Sequence, residues 1–397
     1  MLQSSPYPVL PEPIPRCGTC RASLRTGGAI LQTYASTVYT DLAALPARYE
    51  PLFTNAGSTS FFLTLPWYRN FVQSNVLGPK ERLRIYAADG GGMGRALLPM
   101  RAGADALGAK TLGGLSNYYT SLFGPSFDPD EPDLPRVLDA LASAMACDEV
   151  RWDTIDLRPL AVDTPVFPAL MNALGKAGFA VQSYFCFGNW YLRVGARSYS
   201  EYFEALPSQL KNTVTRKRKQ LEKLKSRIVV CHGETGLEEA LRAYEQIYAV
   251  SWKIPEPYPH FISGLCRTCA SLGSLRLGVV YVDDQPIAAQ IWIVHAGIAA
   301  IYKLAYDERF AKLSAGSILT AHLMQHAIDI DKVHEVDYLT GDDAYKRDWM
   351  SDRRERWGIV AFNLRTPRGL LAAGLHFGAR AAKRALGAVR GLFAAKT

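Results

Sequence analysis

Residues 302–349 read YKLAYDERFAKLSAGSILTAHLMQHAIDIDKVHEVDYLTGDDAYKRDW, and this stretch decides the fold. The β-branched run at 298–305 predicts a strand, which leads through a loop at 307–316 into a predicted helix at 317–330. A strand, a small-residue loop and a helix in this order leave free backbone N–H groups at the start of the helix. Together with the positive end of the helix dipole, these groups form an anion site of the kind that binds phosphates.

A short predicted strand at 335–339 and a polar loop at 341–349 follow that helix. The motifs that carry a family likeness are Tyr302, Ala305-Tyr306-Asp307, Ser314-Ala315-Gly316, Asp337-Tyr338-Leu339, Gly341, Tyr345-Lys346 and Trp349, preceded by Trp67, Leu98-Pro99-Met100 and Ser251-Trp252-Lys253. In their order and spacing they resemble the GNAT acyltransferase superfamily, in the CelD-like branch of cellulose and exopolysaccharide biosynthesis, and more distantly FemAB-type aminoacyl transferases. One position departs from the common GNAT phosphate loop, which has Gln or Arg where this chain has Leu313.

The resemblance implies an α/β (α+β) fold with two tandem GNAT-like mixed-sheet domains flanked by helices, followed by a basic C-terminal helical tail. Strand and helix patterns alternate along the chain in the way that such a fold requires. The predicted parts are a poorly ordered leader at 1–34, an N-terminal domain at 35–195, a catalytic C-terminal domain at 196–363 and the tail at 364–397.

The composition is that of an ordinary soluble protein, with 397 residues, 48% hydrophobic and 21% charged. No apolar run reaches the ~20 residues that a membrane-spanning helix needs, and the N-terminus lacks the pattern of a secretory signal. The expected location is therefore the cytoplasm. The seven cysteines include two C-x-x-C pairs, Cys17/Cys20 and Cys266/Cys269, but their scatter does not predict disulfides, and helical spacing favours burial over zinc binding for the second pair.

Two segments carry the positive charge. Residues 208–228 and residues 364–397 each have a net charge of +7, so the rest of this +8 chain is acidic. The first segment predicts a basic helix that is either a solvated face or a contact for an anionic polymer, a lipid or tRNA. Its lack of interleaved aromatic residues argues against nucleic acid. The second predicts an amphipathic helix that contacts the inner membrane surface, with docking on the domain as the alternative.

In GNAT folds the fourth and fifth strands splay apart, and a thioester cofactor lies between them. The resemblance therefore places acetyl-CoA or a longer acyl-CoA between the strands at 298–305 and 335–339, with its pyrophosphate on the loop before the helix. The implied cofactor-binding residues are Tyr302, Ser314, Ala315, Gly316 and Ser317. The alternative is a plain loop whose serine and glycine serve as cap and turn.

The loop after the fifth strand supplies the candidate catalytic residues. Acyl transfer to an amine needs a neutral amine, stabilisation of the charge that develops on oxygen, and a proton for the departing thiolate. Asp342 or its neighbour Asp343 could accept the amine proton or hold an ammonium group, Tyr345 could donate a proton, and Lys346 could neutralise a phosphate or an oxyanion. Asp342 and Lys346 lie four residues apart, however, and a helical ion pair is the alternative.

Trp252 and Lys253 precede a proline-rich loop, where an acceptor could stack on the indole ring. With Tyr306 and Asp307, they are the predicted substrate-binding residues, and the predicted acceptor is a small-molecule, glycan-linked or lipid-linked amine. His322 and His326 have a spacing that can hold a metal, but no third ligand lies near them, so no metal is expected.

The sequence thus predicts an acyl-CoA-dependent N-acyltransferase that acts on an amino group of a cell-envelope or exopolysaccharide precursor. The alternatives are a FemAB-like transferase that uses aminoacyl-tRNA and a non-catalytic protein that binds a glycan or a partner. Hydrolase, NTPase and dehydrogenase activities are excluded, because the chain has no G-x-S-x-G elbow, no Walker lysine loop and no Rossmann fingerprint.

Overall fold

The computed structural model describes residues 33–378. The predicted leader, except for its last two residues, and residues 379–397 of the tail therefore lie outside the described part. The strands are β1 (Ala35–Tyr39), β2 (Arg82–Gly90), β3 (Met93–Ala104), β4 (Lys110–Gly114), β5 (Ser126–Phe127), β6 (Thr154–Ala161), β7 (Phe179–Arg193), β8 (Ser226–Cys231), β9 (Leu275–Val282), β10 (Gln285–His295), β11 (Ile298–Tyr306), β12 (Glu335–Asp337) and β13 (Asp352–Asn363).

The helices lie on both faces of these strands. They are α1 (Glu50–Gly57), α2 (Leu65–Gln73), α3 (Leu134–Ala146), α4 (Val166–Lys176), α5 (Tyr199–Ala205), α6 (Ser208–Leu221), α7 (Leu237–Ala249), α8 (Pro259–Ser271), α9 (Ala315–Gln325) and α10 (Ala344–Arg347). Short 3₁₀ turns occur at Leu42–Ala44, Ala47–Tyr49, Phe61–Leu63 and Glu308–Leu313, a wider turn at His326–Ile330 extends α9, and a last helix occupies 367–378.

All the strands belong to one mixed sheet. Their order is β1-β2-β3-β4-β6-β13-β7-β12-β11-β10-β9-β8, with β5 paired to β3. The pairs β4–β6 and β11–β12 are parallel, and the other pairs are antiparallel. The predicted α/β fold with a mixed sheet and flanking helices is confirmed.

The two halves of the chain exchange strands in the middle of this sheet. β13, which comes from the second half, lies between β6 and β7 of the first half, and β7 in turn pairs with β12. Each half therefore completes its part of the sheet with a strand from the other. The division of the chain between residues 195 and 196 stays a prediction.

Apolar side chains cover both faces of the sheet. On one face, α1, α2, α7 and α8 share a core, in which the ring centroids of Trp67 of α2 and Phe261 of α8 lie 5.5 Å apart. On the opposite face, a second core contains α5, α6 and α9. We call these the α2/α8 face and the α9 face. A third core lies under α3 and α4 at the other end of the sheet.

The described start of the tail is a helix that docks on the sheet. Ala373 is buried, and the ring of Phe377 lies 5.9 Å from that of Phe362. Leu371 and Leu375 are both more than half exposed. Within residues 33–378, no helix has the length and apolar character that crossing a membrane requires.

Candidate active site

A gap opens between β11 and β12. The two strands pair in parallel at Ile298 with Glu335, Ala299 with Val336 and Ala300 with Asp337, and then they part. β11 continues to Tyr306, whereas β12 ends at Asp337. The strands separate in the region where the family resemblance implies a splay for the thioester.

The first turn of α9 lies beside the end of β11. Ser314 adopts a left-handed conformation, with φ of 54°, and its carbonyl accepts a hydrogen bond from the Ile318 N–H. The N–H groups of Ala315, Gly316 and Ser317 occupy the first turn, where no helical carbonyl can reach them. A Cβ built on Gly316 would lie 3.7 Å from the Tyr306 ring. These N–H groups lie close to the gap, and their role as an anion site stays a prediction.

A buried glutamine holds this turn on the sheet. The Gln290 side chain donates to the Gly316 carbonyl at 2.9 Å and to the Thr320 hydroxyl at 2.7 Å, and it accepts from the Trp292 indole at 2.8 Å. Gln290 is almost fully buried, so these bonds are shielded from water. The position of the first turn is therefore set by β10.

Tyr302 does not lie with the other predicted cofactor-binding residues. It packs with Phe62 and Trp67 on the α2/α8 face, and its hydroxyl approaches the Tyr119 carbonyl at 3.4 Å. Burial raises the pKa of Tyr302 well above its ordinary value. The sheet thus separates Tyr302 from Ser314–Ser317, and its contact with the cofactor stays a prediction.

The structure brings three of the four predicted substrate-binding residues together. The rings of Trp252 and Tyr306 lie 4.6 Å apart, and the Lys253 ammonium lies 5.6 Å from the Trp252 ring. Asp307 is different, because its buried carboxylate accepts hydrogen bonds from the backbone and the guanidinium of Arg309. It caps the following turn, and its role in substrate binding stays a prediction.

The pKa of Lys253 is lowered to about 8, mainly by burial and further by the nearby charge of Lys303. The amine is therefore neutral in the folded state at a pH where the unfolded chain, with a lysine pKa of about 10.4, still holds the proton. Between about pH 8 and pH 10, the unfolded state binds more protons, and stability from this residue rises with pH. We expect wild type to gain stability relative to Lys253→Met over that range, as measured by urea unfolding at each pH. A constant difference between the two proteins would contradict the lowered pKa.

The ion pair between Asp342 and Lys346, which was the alternative to a catalytic role, does not form. Asp342 instead accepts from Arg353 at 2.7 Å, which holds its pKa below the usual value. The Lys346 ammonium is buried, donates to the Thr340 carbonyl at 2.5 Å and lies 3.3 Å from Asp343. A carboxylate with a lowered pKa is a weak proton acceptor at neutral pH, so this geometry makes Asp342 better suited to hold a charge than to accept a proton.

Tyr345 is the exposed member of a pair of tyrosines. Its ring meets that of buried Tyr338 edge-on, with the ring centroids 5.7 Å apart, and 48% of the Tyr345 residue is exposed. Burial of the rest, together with the charge of Asp343, raises the pKa of Tyr345 to about 12. Its hydroxyl therefore keeps its proton at neutral pH.

The structure also reveals a charged cluster that the sequence analysis missed. The Glu256 carboxylate accepts hydrogen bonds from Lys303 at 2.6 Å, Tyr119 at 2.5 Å and Tyr118 at 3.2 Å. Burial alone raises the pKa of Glu256, but the bonds from Lys303 and Tyr119 outweigh it, and the pKa lies below its usual value. We call these four residues the Glu256 cluster.

A β-bulge explains the position of Lys303. Lys303 pairs with Ile291 and Ile301 pairs with Trp292, so Tyr302 is an extra residue in β11. Tyr302 and Lys303 consequently both contact Tyr119 on the α2/α8 face. Two features of the sequence could have indicated this cluster. One is Lys303, a single lysine within an apolar strand, and the other is Glu256, a glutamate between two prolines.

In the described part of the chain, no three or more His, Cys, Asp or Glu side chains lie close enough together to hold a metal ion. Cys266 and Cys269 are buried in α8. The Nδ1 atom of His326 lies 3.1 Å from a carboxylate oxygen of Asp331. The pair Cys17/Cys20 lies outside the described residues.

Residues 208–347 match the family model described as an acetyltransferase (GNAT) domain. This segment of the second half is therefore similar to GNAT acetyltransferase domains. The matched segment includes β11, α9 and β12, and therefore both the gap and the first turn of α9. No curated protein matches the chain.

Solved structures are similar in fold. FemX shares 10% identity and aligns over 80% of this chain and 96% of its own, with a TM-score of 0.58. A tandem GNAT protein from the clavulanic acid biosynthesis pathway (11% identity, 82% and 98% covered) has a TM-score of 0.48. The C-terminal domain of a putative lysylphosphatidylglycerol synthetase from Agrobacterium fabrum (12% identity, 77% and 90% covered) has a TM-score of 0.47. At this identity, the FemX alignment shows a shared fold and nothing further.

Proposed function

We propose that this chain is an acyl-CoA-dependent N-acyltransferase. The observation that carries the proposal is the first turn of α9, which offers its N–H groups beside the gap between β11 and β12, within the segment that matches the GNAT family model. Ser314, Ala315, Gly316 and Ser317 would bind the pyrophosphate of acetyl-CoA or a longer acyl-CoA.

In the proposed reaction, the thioester C–S bond breaks and an amide C–N bond forms. The amine must lose a proton, and the departing thiolate must gain one. Tyr345 would donate the second proton, because its raised pKa keeps the hydroxyl protonated. The Lys346 ammonium would neutralise negative charge near the gap, and Asp342 would hold the ammonium form of the acceptor. The ammonium would release one proton to solvent before it attacks the thioester, and the proton that the nitrogen loses as the amide forms would restore the Tyr345 hydroxyl.

We infer that the acceptor is an amino group of a cell-envelope or exopolysaccharide precursor, either a small molecule or a glycan- or lipid-linked one. The exposed ring of Trp252, which lies against Tyr306, is suited to stack on a sugar. The exposed leucines of the tail helix support contact with the inner membrane surface, where lipid-linked precursors would be met.

A FemAB-like transfer from aminoacyl-tRNA is the second candidate. α6 carries its basic residues next to the anion site, and the Lys217 ammonium donates to the Lys312 carbonyl just before α9. A positive surface beside a phosphate site could bind the backbone of tRNA as well as the 3′-phosphate of CoA. The similarity in fold to FemX is compatible with either donor.

Thermal unfolding with and without acyl-CoA tests the proposal. A ligand at a hundred times its dissociation constant adds ~2.7 kcal/mol of stability, so acetyl-CoA or a longer acyl-CoA should raise the unfolding midpoint of wild type. If no acyl-CoA raises it but charged tRNA does so in a salt-sensitive way, the aminoacyl transferase is supported instead. If neither donor binds, a non-catalytic glycan- or partner-binding protein remains.

Gly316→Trp should abolish stabilisation by acyl-CoA. The space beside Gly316 is open except for the Tyr306 ring at 3.7 Å, so a large side chain would fill the approach to the N–H groups. Gly316→Ala is the matched control, because a methyl group fits at that distance and the response to acyl-CoA should be retained. A full response in Gly316→Trp would place the cofactor elsewhere.

A further inference from the structure

A cavity of about 270 Å³ lies between the two halves of the chain, on the α2/α8 face. Its lining includes Phe61, Phe62 and Ser121 from the first half and Ile293, Asp337 and Arg356 from the second. Ala300 also lines it, and Ala300 and Asp337 form the last pair between β11 and β12. The cavity therefore reaches the point where the two strands part.

Arg356 enters this cavity without a partner. Only 5% of the residue is exposed, its Nε is buried without a hydrogen-bond partner, and among residues 33–378 its guanidinium lies within 4.0 Å of no carboxylate oxygen. A guanidinium has five N–H donors, and a buried cation without acceptors is strongly unfavourable unless something else satisfies it. The guanidinium of Arg356 therefore has donors free for an acceptor that enters this partly open cavity.

The guanidinium of the neighbouring Arg354, by contrast, has hydrogen-bond acceptors for its donors. Arg354 donates to Glu335 at 2.7 Å, to Asp337 at 2.6 Å and to Asn189 at 2.6 Å. The other oxygen of Asp337 accepts from Asn189 and from the Leu339 N–H, both at 2.6 Å. Both nearby carboxylates are therefore already bound by other donors.

Charge alone does not make this an anion site. The two arginines and the two carboxylates, Glu335 and Asp337, cancel formally, and Asp163 adds a negative charge at the exposed rim. The attraction for an anion comes from the unused directional donors of Arg356. Such donors favour a carboxylate or phosphate, which can accept two bonds from one guanidinium.

A second unused donor lies in the same cavity. Ser121 is 3% exposed as a residue and lines the cavity, and no hydrogen bond of its hydroxyl occurs within the described part of the protein. By contrast, the hydroxyls of Thr59 and Thr164 donate to nearby backbone carbonyls. Phe61, Phe62 and Ile293 give the rest of the wall an apolar surface.

We propose that this cavity binds a small molecule with a carboxylate or phosphate group, which Arg356 and Ser121 hold while its apolar part lies against Phe61 and Phe62. Binding of such a molecule does not depend on acyl transfer. If the proposed function holds, the cavity lies where β11 and β12 part, so its occupant would be the anionic part of the acyl acceptor, which is an amine.

Three phenyl compounds test the proposal on the full-length protein without any acyl-CoA. Phenylacetate and phenyl phosphate carry the two anionic groups, and phenylacetamide is the neutral control. Calorimetric titration should show saturable binding of at least one anion and much weaker binding of the amide. Arg356→Met should weaken anion binding by about tenfold or more. Arg158→Met, an exposed arginine of β6 that pairs with Asp156, should bind as wild type does.

Equal binding of phenylacetamide and phenylacetate would overturn the proposal, because the cavity would then be an apolar pocket only. Anion binding that survives Arg356→Met, or no binding of any of the three compounds, would overturn it as well. If Arg356→Met does not fold, Ser121→Ala replaces it and should weaken anion binding about fivefold through one lost hydrogen bond. A failure of acyl-CoA to bind would leave these results unaffected, so the two proposals fail separately.

Discussion

Replacing Tyr345 with phenylalanine should lower the rate of acyl transfer about 100-fold or more, the usual loss when a positioned general acid is removed. Acyl-CoA binding should be unchanged, because the proposed phosphate site consists of backbone N–H groups of α9. The ring would keep its edge-on contact with Tyr338, so the fold should not change. Since burial holds the pKa of Tyr345 at about 12, its deprotonation should not reduce the wild-type rate below about pH 11.

Steady-state kinetics with the best acyl-CoA and a calorimetric measurement of CoA binding together check this prediction. Tyr39→Phe is the matched control, because Tyr39 lies on β1 at the opposite end of the sheet. A Tyr345→Phe protein that transfers at the wild-type rate would remove the hydroxyl from the mechanism. If Tyr345→Phe instead binds CoA more weakly but transfers at the wild-type rate at saturating acyl-CoA, Tyr345 binds the cofactor and does not donate the proton.

Replacing Lys303 with methionine should lower the free energy of unfolding by about 3 kcal/mol, because the substitution leaves the charge of Glu256 buried without its cation. The side chains of Lys303 and Glu256 are only 16% and 13% exposed, so water screens the pair little. Methionine has a similar length and an apolar stem, so the loss should come from the charge and not from a cavity.

The loss should depend on pH. In wild type the pKa of Glu256 lies below its usual value, so the carboxylate stabilises the fold above about pH 4.3, and this stability is lost as pH falls through the folded pKa. In Lys303→Met, burial would dominate and raise the pKa of Glu256, so protonation at lower pH would relieve the penalty. The difference between the two proteins should therefore be largest at neutral pH and shrink as pH falls toward 4.

Chemical denaturation at pH 7 and at lower pH measures both effects. Lys225→Met is the matched control: its pair with Asp284 is mostly exposed, and the change should be within about 0.5 kcal/mol. Adding Glu256→Gln to Lys303→Met should restore part of the stability, since it removes the unpaired charge. Equal losses in Lys303→Met and Lys225→Met would mean that the Glu256 cluster contributes no buried electrostatic stabilisation.

The Glu256 cluster also links the two halves. Tyr118 and Tyr119 come from the first half and Lys303 from the second, and Tyr119 stacks on Phe261 at 4.0 Å. Ser121, two residues after Tyr119, lines the Arg356 cavity. One loop of the first half therefore contributes to both polar sites next to the gap, so substitutions in this loop should affect the second half as well.

The sequence by itself determined the local elements of this protein. The strand, loop and helix over β11 and α9, the α2 helix with Trp67 and the basic α6 follow from periodicity, caps and proline positions within single segments. The parting of β11 from β12 was expected through the family resemblance. These features depend on residues that are close in the chain, and a sequence records such neighbours directly.

Only the tertiary structure decided which side chains meet. Three contacts join residues that are distant in sequence or that lie on unexpected faces of their strands. They are the pairing of β7 with β13, the bond between Asp342 and Arg353 in place of Lys346, and the contact of Lys303 with Glu256. The bulge at Tyr302 turns Lys303 to the opposite face, a one-residue shift that no alternation pattern reveals. Arg356 could likewise be recognised as unpartnered only after every nearby carboxylate had been placed, because a buried charge is defined by its three-dimensional surroundings.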